Sequence, residues 1–391
     1  MIKFEEALKI VENSAFILDN ERVDFKESLN RVLAEDIKSD IEMPPFDKSA
    51  VDGYACKKED LFNELEVIEI IPAGKVPEKD IAKNQCSKIM TGAPMPKGTD
   101  TVVMVEDVEE TGENKIRYLK SKVKNNICYR GEDIKEDEIV LKKGTLIKPQ
   151  HIAVLATTGS VNPMVYRQAK VAVFSTGDEL VEPDKKPSVS RIRNSNAYQL
   201  LAMVKNAGAI PEYTGIASDT EESTREMITK AFKRNDIVIL SGGVSMGDFD
   251  YVPQILEELG VELKFKSIAV QPGRPTVFGI REKQFIFGLP GNPVSSFVQF
   301  ELLVKPFIYR LSGFNYIPVR INLPMGKDYI RKKSTSLSWL PVRIYDNGEV
   351  YPIEYHGSAH INALTSANGL ISVPIGQTIL KKGDLVNVRQ I

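Results

Sequence analysis

The chain has 391 residues, in which 51 lysines and arginines nearly balance 53 aspartates and glutamates, for a formal net charge of −2 at pH 7. One hydrophobic core rarely serves more than about 250–300 residues, so at least two domains are expected. The balanced, interspersed charges exclude an electrostatic reason to expect nucleic acid or an anionic membrane as the main partner, and they favour a small ligand.

The cysteines and the first residues indicate the cellular environment. Cys56, Cys86 and Cys128 are far apart and form no CxxC pair, so neither a disulfide framework nor a zinc site is supported. The segment MIKFEEALKIVENSAF carries acids within an apolar helical repeat and predicts an amphipathic helix rather than a signal peptide. No stretch has the roughly 18–20 apolar residues that a membrane span needs. We therefore expect a soluble, cytoplasmic protein with reduced cysteines.

The predicted elements change character along the chain. A second helix is predicted for ESLNRVLAEDI, and residues 45–147 contain short apolar runs between Gly, Pro and Asn, which predict a mostly β region. From residue 169, apolar strands such as VAVF and IVIL alternate with helical patterns, which indicates a mostly parallel sheet with helices on both faces. A long apolar helix follows LPGNP, and strand-like runs from about residue 315 predict a final small β domain.

Polar or glycine-bearing turns follow three predicted strands: STGDEL after VAVF, ASDT after YTGI, and SGGVSMGD after IVIL. Because the carboxyl ends of parallel strands share one edge of a sheet, these turns should line one crevice. Their acids are Asp178, Glu179, Asp219, Asp248 and Asp250. Carboxylates gathered in this way repel one another unless a hard cation such as Mg²⁺ is present, usually with substrate phosphate.

Helix capping is the alternative explanation for these acids. Asp219 would cap the helix that follows it, and Asp248 or Asp250 would cap the next one. Capping accounts for any single acid, but it gives no reason for the Gly242-Gly243 pair, whose backbone N–H groups can turn outward to meet an anion.

Two proline-bearing turns could also bind an anion. Arg274, in VQPGRP, lies in a stiffened turn and could bind phosphate or another oxyanion, with a solvated turn arginine as the alternative. In GLPGNPVSSF, Pro290 and Pro293 preset a turn, and Ser295 and Ser296 fall in the first turn of a helix whose N–H groups could receive an anion. The second segment also fits an ordinary β-to-α connection.

The predicted β region holds candidates for a second face of the site. They are Asp52, Thr91 with Gly92, and the acids of RGEDI, which include Asp133. Turn chemistry alone would account for each of them.

Other catalytic systems are not favoured. His356 and His360 have the i, i+4 spacing of a zinc pair, but the intervening GSA lacks the glutamate of HExxH, so chance spacing is the preferred interpretation. The sequence has no GxSxG elbow, Walker A loop or GxGxxG fingerprint, which argues against hydrolase triads, P-loop kinases and dinucleotide oxidoreductases.

Five segments occur in a fixed order: FDKSAVDGYA, IMTGAPMPKGTDTVV, FSTGDEL, SGGVSMGDFDYV and LPGNPVSSF. Together they resemble the MoeA family, which also includes the C-terminal domain of gephyrin, and the resemblance runs essentially end to end. It implies a multidomain fold of α/β plus β type. The implied parts are a discontinuous N-terminal helical region (1–44 and 141–169), an inserted β domain (45–140), a molybdopterin-binding α/β domain (170–314) and a C-terminal β-barrel (315–391).

The resemblance also implies an enzyme of molybdenum cofactor synthesis, a molybdopterin molybdenumtransferase. Such an enzyme takes adenylylated molybdopterin and molybdate, or tungstate, cleaves the phosphoanhydride with Mg²⁺ present, and gives molybdenum cofactor and AMP. A homodimer is implied, with the active site at the subunit seam. Contacts with the adenylyltransferase and with recipient molybdoenzymes are implied as well, and no nucleic acid or membrane.

Site residues are carried over by motif. The implied metal ligands are Asp178, Glu179, Asp219 and Asp248. The implied catalytic residues are Asp52, Asp133, Asp219, Asp248 and Arg274, of which Asp52 and Asp133, with Thr91, would come from the partner chain. The implied pterin, phosphate and oxyanion contacts are Thr91, Gly92, Ser175, Thr176, Gly177, Ser241, Gly242, Gly243, Ser245, Gln271, Pro290 and Pro293. No residue is assigned as a nucleophile, and a molybdate oxygen or water would attack phosphorus.

The chain departs from the family at the oxyanion turn. Family members commonly carry lysines where this chain has Gln271 and Arg274. An amide donates hydrogen bonds but brings no charge, so Gln271 is expected to alter oxyanion affinity or the preference between molybdate and tungstate.

Two alternative functions stay open at this point. The first is a molybdopterin adenylyltransferase on the same α/β domain, although that branch usually has a GGTG-type loop where this chain has GGVSMGD. The second is a non-catalytic scaffold of the kind that gephyrin forms at synapses. The intact acids and loop glycines favour catalysis.

Overall fold

The structure, a computed structural model, describes residues 1–244, 252–353 and 360–391. The chain folds into two compact units. The larger unit consists of Met1–Arg22, Asn30–Ala34 and Met164–Ile391, and the smaller unit of Val23–Leu29 and Glu35–Pro163.

Helices in the described residues are few. The α-helices are Phe4–Ser14, Pro149–Thr157, Ser195–Asn206, Glu221–Phe232, Val252–Glu258, Pro293–Gln299 and Lys305–Leu311. A π-helical turn, Phe300–Val304, joins the last two into the long helix expected after LPGNP. The 3₁₀ turns are Phe25–Glu27, Lys58–Asp60, Val105–Asp107 and Ile361–Ser366. None of the described helices is both long enough and apolar enough to span a membrane.

The smaller unit is built on a six-stranded sheet, as its short apolar runs predict. Its strands, in spatial order, are Thr101–Met104, Gly53–Cys56, Gln85–Ile89, Glu64–Ile71, Lys115–Tyr118 and Val108–Gly112. One pairing, between Glu64–Ile71 and Gln85–Ile89, is parallel, and the others are antiparallel. Leu65, Cys86, Val103 and Ile116 pack together in its core.

The helix predicted for ESLNRVLAEDI is wrong. Asn30 has a left-handed backbone with φ of 62°, which ends any right-handed helix there. Beyond it the chain is extended: Leu33 bridges Val165, and Ile37–Lys38 pairs with Ile139–Leu141. Pairing with distant segments has overridden a local helical pattern.

The larger unit contains a six-stranded central sheet. Its strands, in spatial order, are Ile210–Ala217, Lys170–Thr176, Ile237–Ser241, Gln284–Leu289, Val277–Arg281 and Glu262–Phe265. The first four are mutually parallel, and the last two pair antiparallel. The mostly parallel sheet expected from the sequence is therefore present.

Helices cover both faces of this sheet. Successive residues of a strand point to opposite faces, so each strand contributes side chains to two separate cores. Val171, Val173, Ile237 and Ile239 pack in a core that includes Leu200 of helix Ser195–Asn206, helix Phe4–Ser14 and the long helix of residues 293–311. Ala172, Phe174, Val238 and Leu240 face the other side, where they pack against helices Glu221–Phe232 and Val252–Glu258. Burial on both faces explains why VAVF and IVIL are almost uniformly apolar.

The C-terminal β domain is a barrel. Its strands are Arg320–Pro324, Leu337–Ile344, Val350–Pro352, Gly369–Val373 and Leu385–Gln390. Their spatial order is Arg320–Pro324, Leu385–Gln390, Gly369–Val373, Leu337–Ile344 and Val350–Pro352, each antiparallel to the next, and a bridge between Met325 and Val350 closes the ring. The core includes Leu340, Val342, Ile371 and Val388. Val270–Gln271, from the α/β part, joins the same sheet by pairing with Leu337–Ile344.

Shorter strand pairs tie down loops. They are Asn20–Arg22 with Met164–Tyr166, Lys48–Ser49 with Ile127–Cys128, Leu180–Val181 with Ile192–Arg193, and Tyr329–Ile330 with Ile379–Leu380.

An ion pair joins the amino ends of two central strands. Arg167 donates to both carboxylate oxygens of Asp236 at 2.8 Å, and the N–H of Lys170 donates to the same group at 2.8 Å. Burial raises the pKa of Asp236, but the hydrogen bonds from Arg167 and Lys170 outweigh it and hold the pKa below its ordinary value. Ionised Asp236 therefore stabilises the fold at neutral pH.

Replacing Asp236 with asparagine should lower the free energy of unfolding by about 2 kcal/mol at pH 7, since charge-assisted bonds are lost. Because the folded-state pKa is depressed, this stabilisation is present above the unfolded pKa and is lost as pH falls through the folded value. Urea denaturation from pH 7 down to pH 3 measures it. The exposed pair Lys185–Asp184 provides the control, Asp184→Asn, which should change little. An effect of Asp236→Asn that does not shrink on acidification would contradict this account.

Candidate active site

Strand register brings three polar loops to one edge of the central sheet. Ser175 of strand Lys170–Thr176 pairs with Ile216 of the neighbouring strand on one side and with Ser241 of the neighbouring strand on the other. The three strands therefore end at the same level. The loops after these strands enclose a cavity of about 410 Å³. Its lining residues are Ser175, Thr176, Gly177, Glu179, Leu180, Ile192, Arg193, Asn194, Ser195, Asn196, Asp219, Ser241, Gly242, Gly243, Gly291, Asn292, Pro293 and Ile361.

Glycines allow the loops to approach closely. Gly242 has φ of 99°, and a Cβ on it would lie 2.7 Å from the carbonyl oxygen of Thr176. Gly243 has φ of 66°, and a Cβ there would lie 2.9 Å from Oγ1 of Thr176. Both the backbone conformation and the space therefore require glycine. The turn lies between Thr176 and Gly291, whose own Cβ position is 3.6 Å from the Cα of Gly242.

Two carboxylates are linked across the loops. The backbone N–H of Asp178 donates to Oδ2 of Asp219 at 3.2 Å, and the N–H of Asp219 donates to Oδ1 of Asp178 at 3.3 Å. The capping role considered for Asp219 is wrong, because Thr220 caps helix Glu221–Phe232 by accepting from the N–H of Ser223 at 3.3 Å. Asp219 is therefore available to the cavity.

The carboxylates near this cavity can hold a hard cation only if a ligand supplies further oxygen atoms. Within the described residues, no group of three or more His, Cys, Asp or Glu side chains gathers at a spacing that could hold a metal ion. Asp219 lines the cavity together with Glu179, and Asp178, which is not among the lining residues, is linked to Asp219 through the backbone N–H groups. Mg²⁺ is commonly held by one or two carboxylates together with substrate phosphates and water, so this pair suits Mg²⁺ bound with a phosphate. Asp248, Asp250 and Ser245 lie outside the described residues.

Two asparagines that the sequence interpretation missed organise the cavity floor. Asn194 caps helix Ser195–Asn206 by accepting from the N–H of Ala197 at 3.3 Å and also accepts from Oγ of Ser175 at 2.9 Å. Asn196 donates from Nδ2 to Oγ of Ser241 at 2.8 Å and to the carbonyl of Gly291 at 2.7 Å. An Asn just before a helical pattern is a recognisable cap signal, but the contacts of Asn196 are non-local and leave no such signal.

A hydrogen-bond chain fixes the wall behind Asn194. Nδ2 of Asn194 donates to the hydroxyl of Tyr213 at 3.1 Å, and Tyr213 donates to Glu182 at 2.6 Å. Tyr198 donates to the other oxygen of Glu182 at 2.8 Å. Burial, followed by the bond to Glu182, raises the pKa of Tyr213, so its hydroxyl stays protonated as a donor.

A second cavity, of about 710 Å³, adjoins the first and shares Asn292 with it. Gln271, Arg274 and Pro290 line this second cavity rather than the first, whereas Pro293 lines the first. The barrel adds residues that no motif indicated: Lys333, Thr335 and Ser336.

Buried hydrogen bonds hold the turn of the second cavity. Nε2 of Gln299, which is fully buried, donates to the carbonyl of Pro272 at 2.8 Å. Oγ1 of Thr276 donates to the carbonyl of Gly273 at 2.7 Å. Gln271 and Arg274 thus project from a fixed backbone.

The remaining candidates belong to the smaller unit. Oδ1 of Asp52 accepts from the N–H of Thr91 at 2.7 Å and from its hydroxyl at 2.8 Å. These bonds, the backbone one first, lower the pKa of Asp52. Gly92 follows in a left-handed conformation, with φ of 84°. Asp133 is exposed on another segment, where its N–H donates to the carbonyl of Met43 at 3.0 Å.

Three family models match the chain. Residues 2–159 match the MoeA N-terminal region (domain I and II), residues 172–310 match a model described as "Probable molybdopterin binding domain", and residues 326–391 match the MoeA C-terminal region (domain IV).

Relatives match over almost the whole length. The molybdopterin molybdenumtransferase of Staphylococcus epidermidis is 37% identical, with 99% of this chain and 95% of that protein covered. The protein of the same name from Staphylococcus aureus is 34% identical, with the same shares covered. Among solved structures, the molybdopterin biosynthesis moeA protein from Pyrococcus horikoshii OT3 has a TM-score of 0.85 at 32% identity, with 100% of each chain covered.

Replacing Gly242 with alanine should lower the free energy of unfolding by roughly 2–4 kcal/mol, because a Cβ meets Thr176 while the backbone stays left-handed. Gly260→Ala is the matched control. Gly260 also has positive φ, 78°, but nothing lies within 4 Å of its Cβ position, so a loss of only about 1 kcal/mol is expected. Urea denaturation measures both variants, and equal losses would show that crowding at Thr176 is unimportant.

Proposed function

The chain belongs to the MoeA family, and we propose that it is a molybdopterin molybdenumtransferase that converts adenylylated molybdopterin and molybdate into molybdenum cofactor and AMP. The observation that carries the proposal is the first cavity, where a glycine turn and a linked carboxylate pair meet at the carboxyl edge of a parallel sheet. That combination suits a phosphoanhydride better than any neutral ligand.

Backbone donors account for phosphate binding. The N–H of Gly243 has no partner within the described part of the chain, whereas the N–H of Gly242 donates to the carbonyl of Leu289 at 3.1 Å. Helix Ser195–Asn206 begins at the same cavity, so its first N–H groups and its dipole also favour an anion there.

Asp178 and Asp219, with Glu179 and Asp248, would hold Mg²⁺. When bound, Mg²⁺ would neutralise charge on the phosphoanhydride oxygens. The chain's own groups orient the substrate, and no residue is assigned as a nucleophile. In the proposed reaction, a molybdate oxygen or water attacks phosphorus, with AMP as the leaving group.

The second cavity is proposed to receive the oxyanion. Arg274 and Lys333 bring positive charge to it, and Gln271 contributes an amide. Because Asn292 lines both cavities, an oxyanion there would lie next to the substrate in the first cavity. This arrangement would allow metal transfer without moving the pterin over a long distance.

We further propose a homodimer in which the smaller unit of one subunit completes the site of the other. Asp52, Thr91, Gly92 and Asp133 would be supplied in this way. Their support is the preformed Asp52–Thr91 pair, which holds an ionised carboxylate at low pKa, and the family relationship. Contacts with the adenylyltransferase and with recipient molybdoenzymes belong to the same proposal.

Asp219→Asn should reduce Mg²⁺-dependent release of AMP from adenylylated molybdopterin by roughly 100-fold or more, because one oxygen of the carboxylate pair becomes an amide. The matched control is Asp346→Asn, an exposed residue of the barrel, which should keep wild-type turnover. AMP is quantified chromatographically over a Mg²⁺ titration. Full activity in a folded Asp219→Asn protein would remove Asp219 from the mechanism.

Gln271→Lys should tighten oxyanion binding by about fivefold at low salt, since it adds a charge beside Arg274 at an exposed position. Molybdate and tungstate titrations by calorimetry, repeated at high salt, measure both the affinity and the preference between the two anions. Gln390→Lys, exposed at the end of the chain, adds the same charge elsewhere and should change neither. Indistinguishable affinities for wild type and Gln271→Lys would dismiss the idea.

A further inference from the structure

Asn196 occupies an unusual position in the first cavity. Its side chain is 9% exposed, yet the residue lines the cavity at the first turn of helix Ser195–Asn206. Nδ2 donates both of its hydrogens, to Oγ of Ser241 at 2.8 Å and to the carbonyl of Gly291 at 2.7 Å. A carbonyl can only accept, so the bond to Gly291 fixes which end of the amide faces it.

The other end of this amide is an orphan. Oδ1 of Asn196 is buried and has no hydrogen-bond partner among the described residues. Buried polar atoms are almost always paired, because an unpaired acceptor loses its hydration without compensation. Asn196 lines the cavity, so a ligand seated there can supply the missing donor.

The orphan oxygen adds an acceptor to a cavity that also has backbone donors. The N–H groups of Gly243 and of the helix start are donors and suit phosphate. Oδ1 of Asn196 is an acceptor and would repel phosphate, so it requires a donor, N–H or O–H, on the ligand. Bound substrate must therefore present a donor to this oxygen as well as phosphate to the N–H groups.

We infer that Oδ1 of Asn196 accepts a hydrogen bond from the 2-amino group of the pterin, which makes Asn196 a specificity-determining residue. The inference rests on the proposed function. Of the substrate's two ring systems, the pterin is favoured because residues 172–310, which include Asn196, match the molybdopterin-binding model. A site built to satisfy a hydrogen bond rejects an analogue that lacks the donor, because the protein group is then left unpaired.

The test compares 6-hydroxymethylpterin with 6-hydroxymethyllumazine, in which an oxygen replaces the 2-amino group, by ligand-observed NMR titration of the full-length protein. Wild type should prefer the pterin by about tenfold, the scale of one buried hydrogen bond. Asn196→Ala should bring the ratio close to one. Gln199→Ala is the matched control: Gln199 lies three residues along the same helix and donates to the carbonyl of Pro293 at 3.3 Å, so its loss should leave the preference intact.

A purely structural role for Asn196 would weaken both probes equally and keep their ratio, which would overturn the inference. So would weakened binding of AMP by Asn196→Ala with an unchanged pterin preference, because the oxygen would then face adenine. If the Asn196→Ala protein fails to fold, the wild-type protein still provides the test. Wild type without a preference for the pterin would show that the hydrogen bond to Oδ1 of Asn196 does not form. Wild type that prefers pterin but releases no AMP would reject the proposed function and leave this inference standing.

Discussion

Parallel pairing of the strands Lys170–Thr176, Ile210–Ala217 and Ile237–Ser241 is the constraint on which the site depends. In a parallel sheet, every carboxyl end lies at one edge, and the register here sets Ser175 level with Ser241. Strand pairing, and not the conformational preferences of the loops themselves, therefore brings together loops that are distant in sequence.

The loops then divide the chemistry between backbone and side chain. The N–H of Gly243 has no partner among the described residues and can bind an anion, and only residues without Cβ fit at 242 and 243 beside Thr176. Asp178 and Asp219 approach through each other's backbone N–H groups, which places two negative charges next to one another. The adjoining second cavity carries the opposite charge in Arg274 and Lys333. Cation, phosphate and oxyanion can thus be accommodated as neighbours in complementary surroundings.

How far the sequence predicts this molecule depends on how local each signal is. The alternation of VAVF and IVIL with helical patterns predicts the sheet and both helical layers, because burial on two faces leaves a continuous apolar run. The helical spacing of ESLNRVLAEDI predicts a helix that the structure does not contain. The left-handed backbone of Asn30 interrupts a helix there, and Leu33 and Ile37 pair with distant strands instead. Motif order predicts the loops around the first cavity. Asn196 and Lys333 lie outside every motif, since only the tertiary fold brings them to a cavity.

Transfer of the finished cofactor tests the central claim most directly. Purified protein would be mixed with adenylylated molybdopterin, Mg²⁺ and molybdate, and an apo-molybdoenzyme would then be added. The account predicts that molybdoenzyme activity appears only with molybdate present, with about one AMP released per cofactor formed. Tight binding of adenylylated molybdopterin with neither AMP nor cofactor activity would contradict it and favour a scaffold.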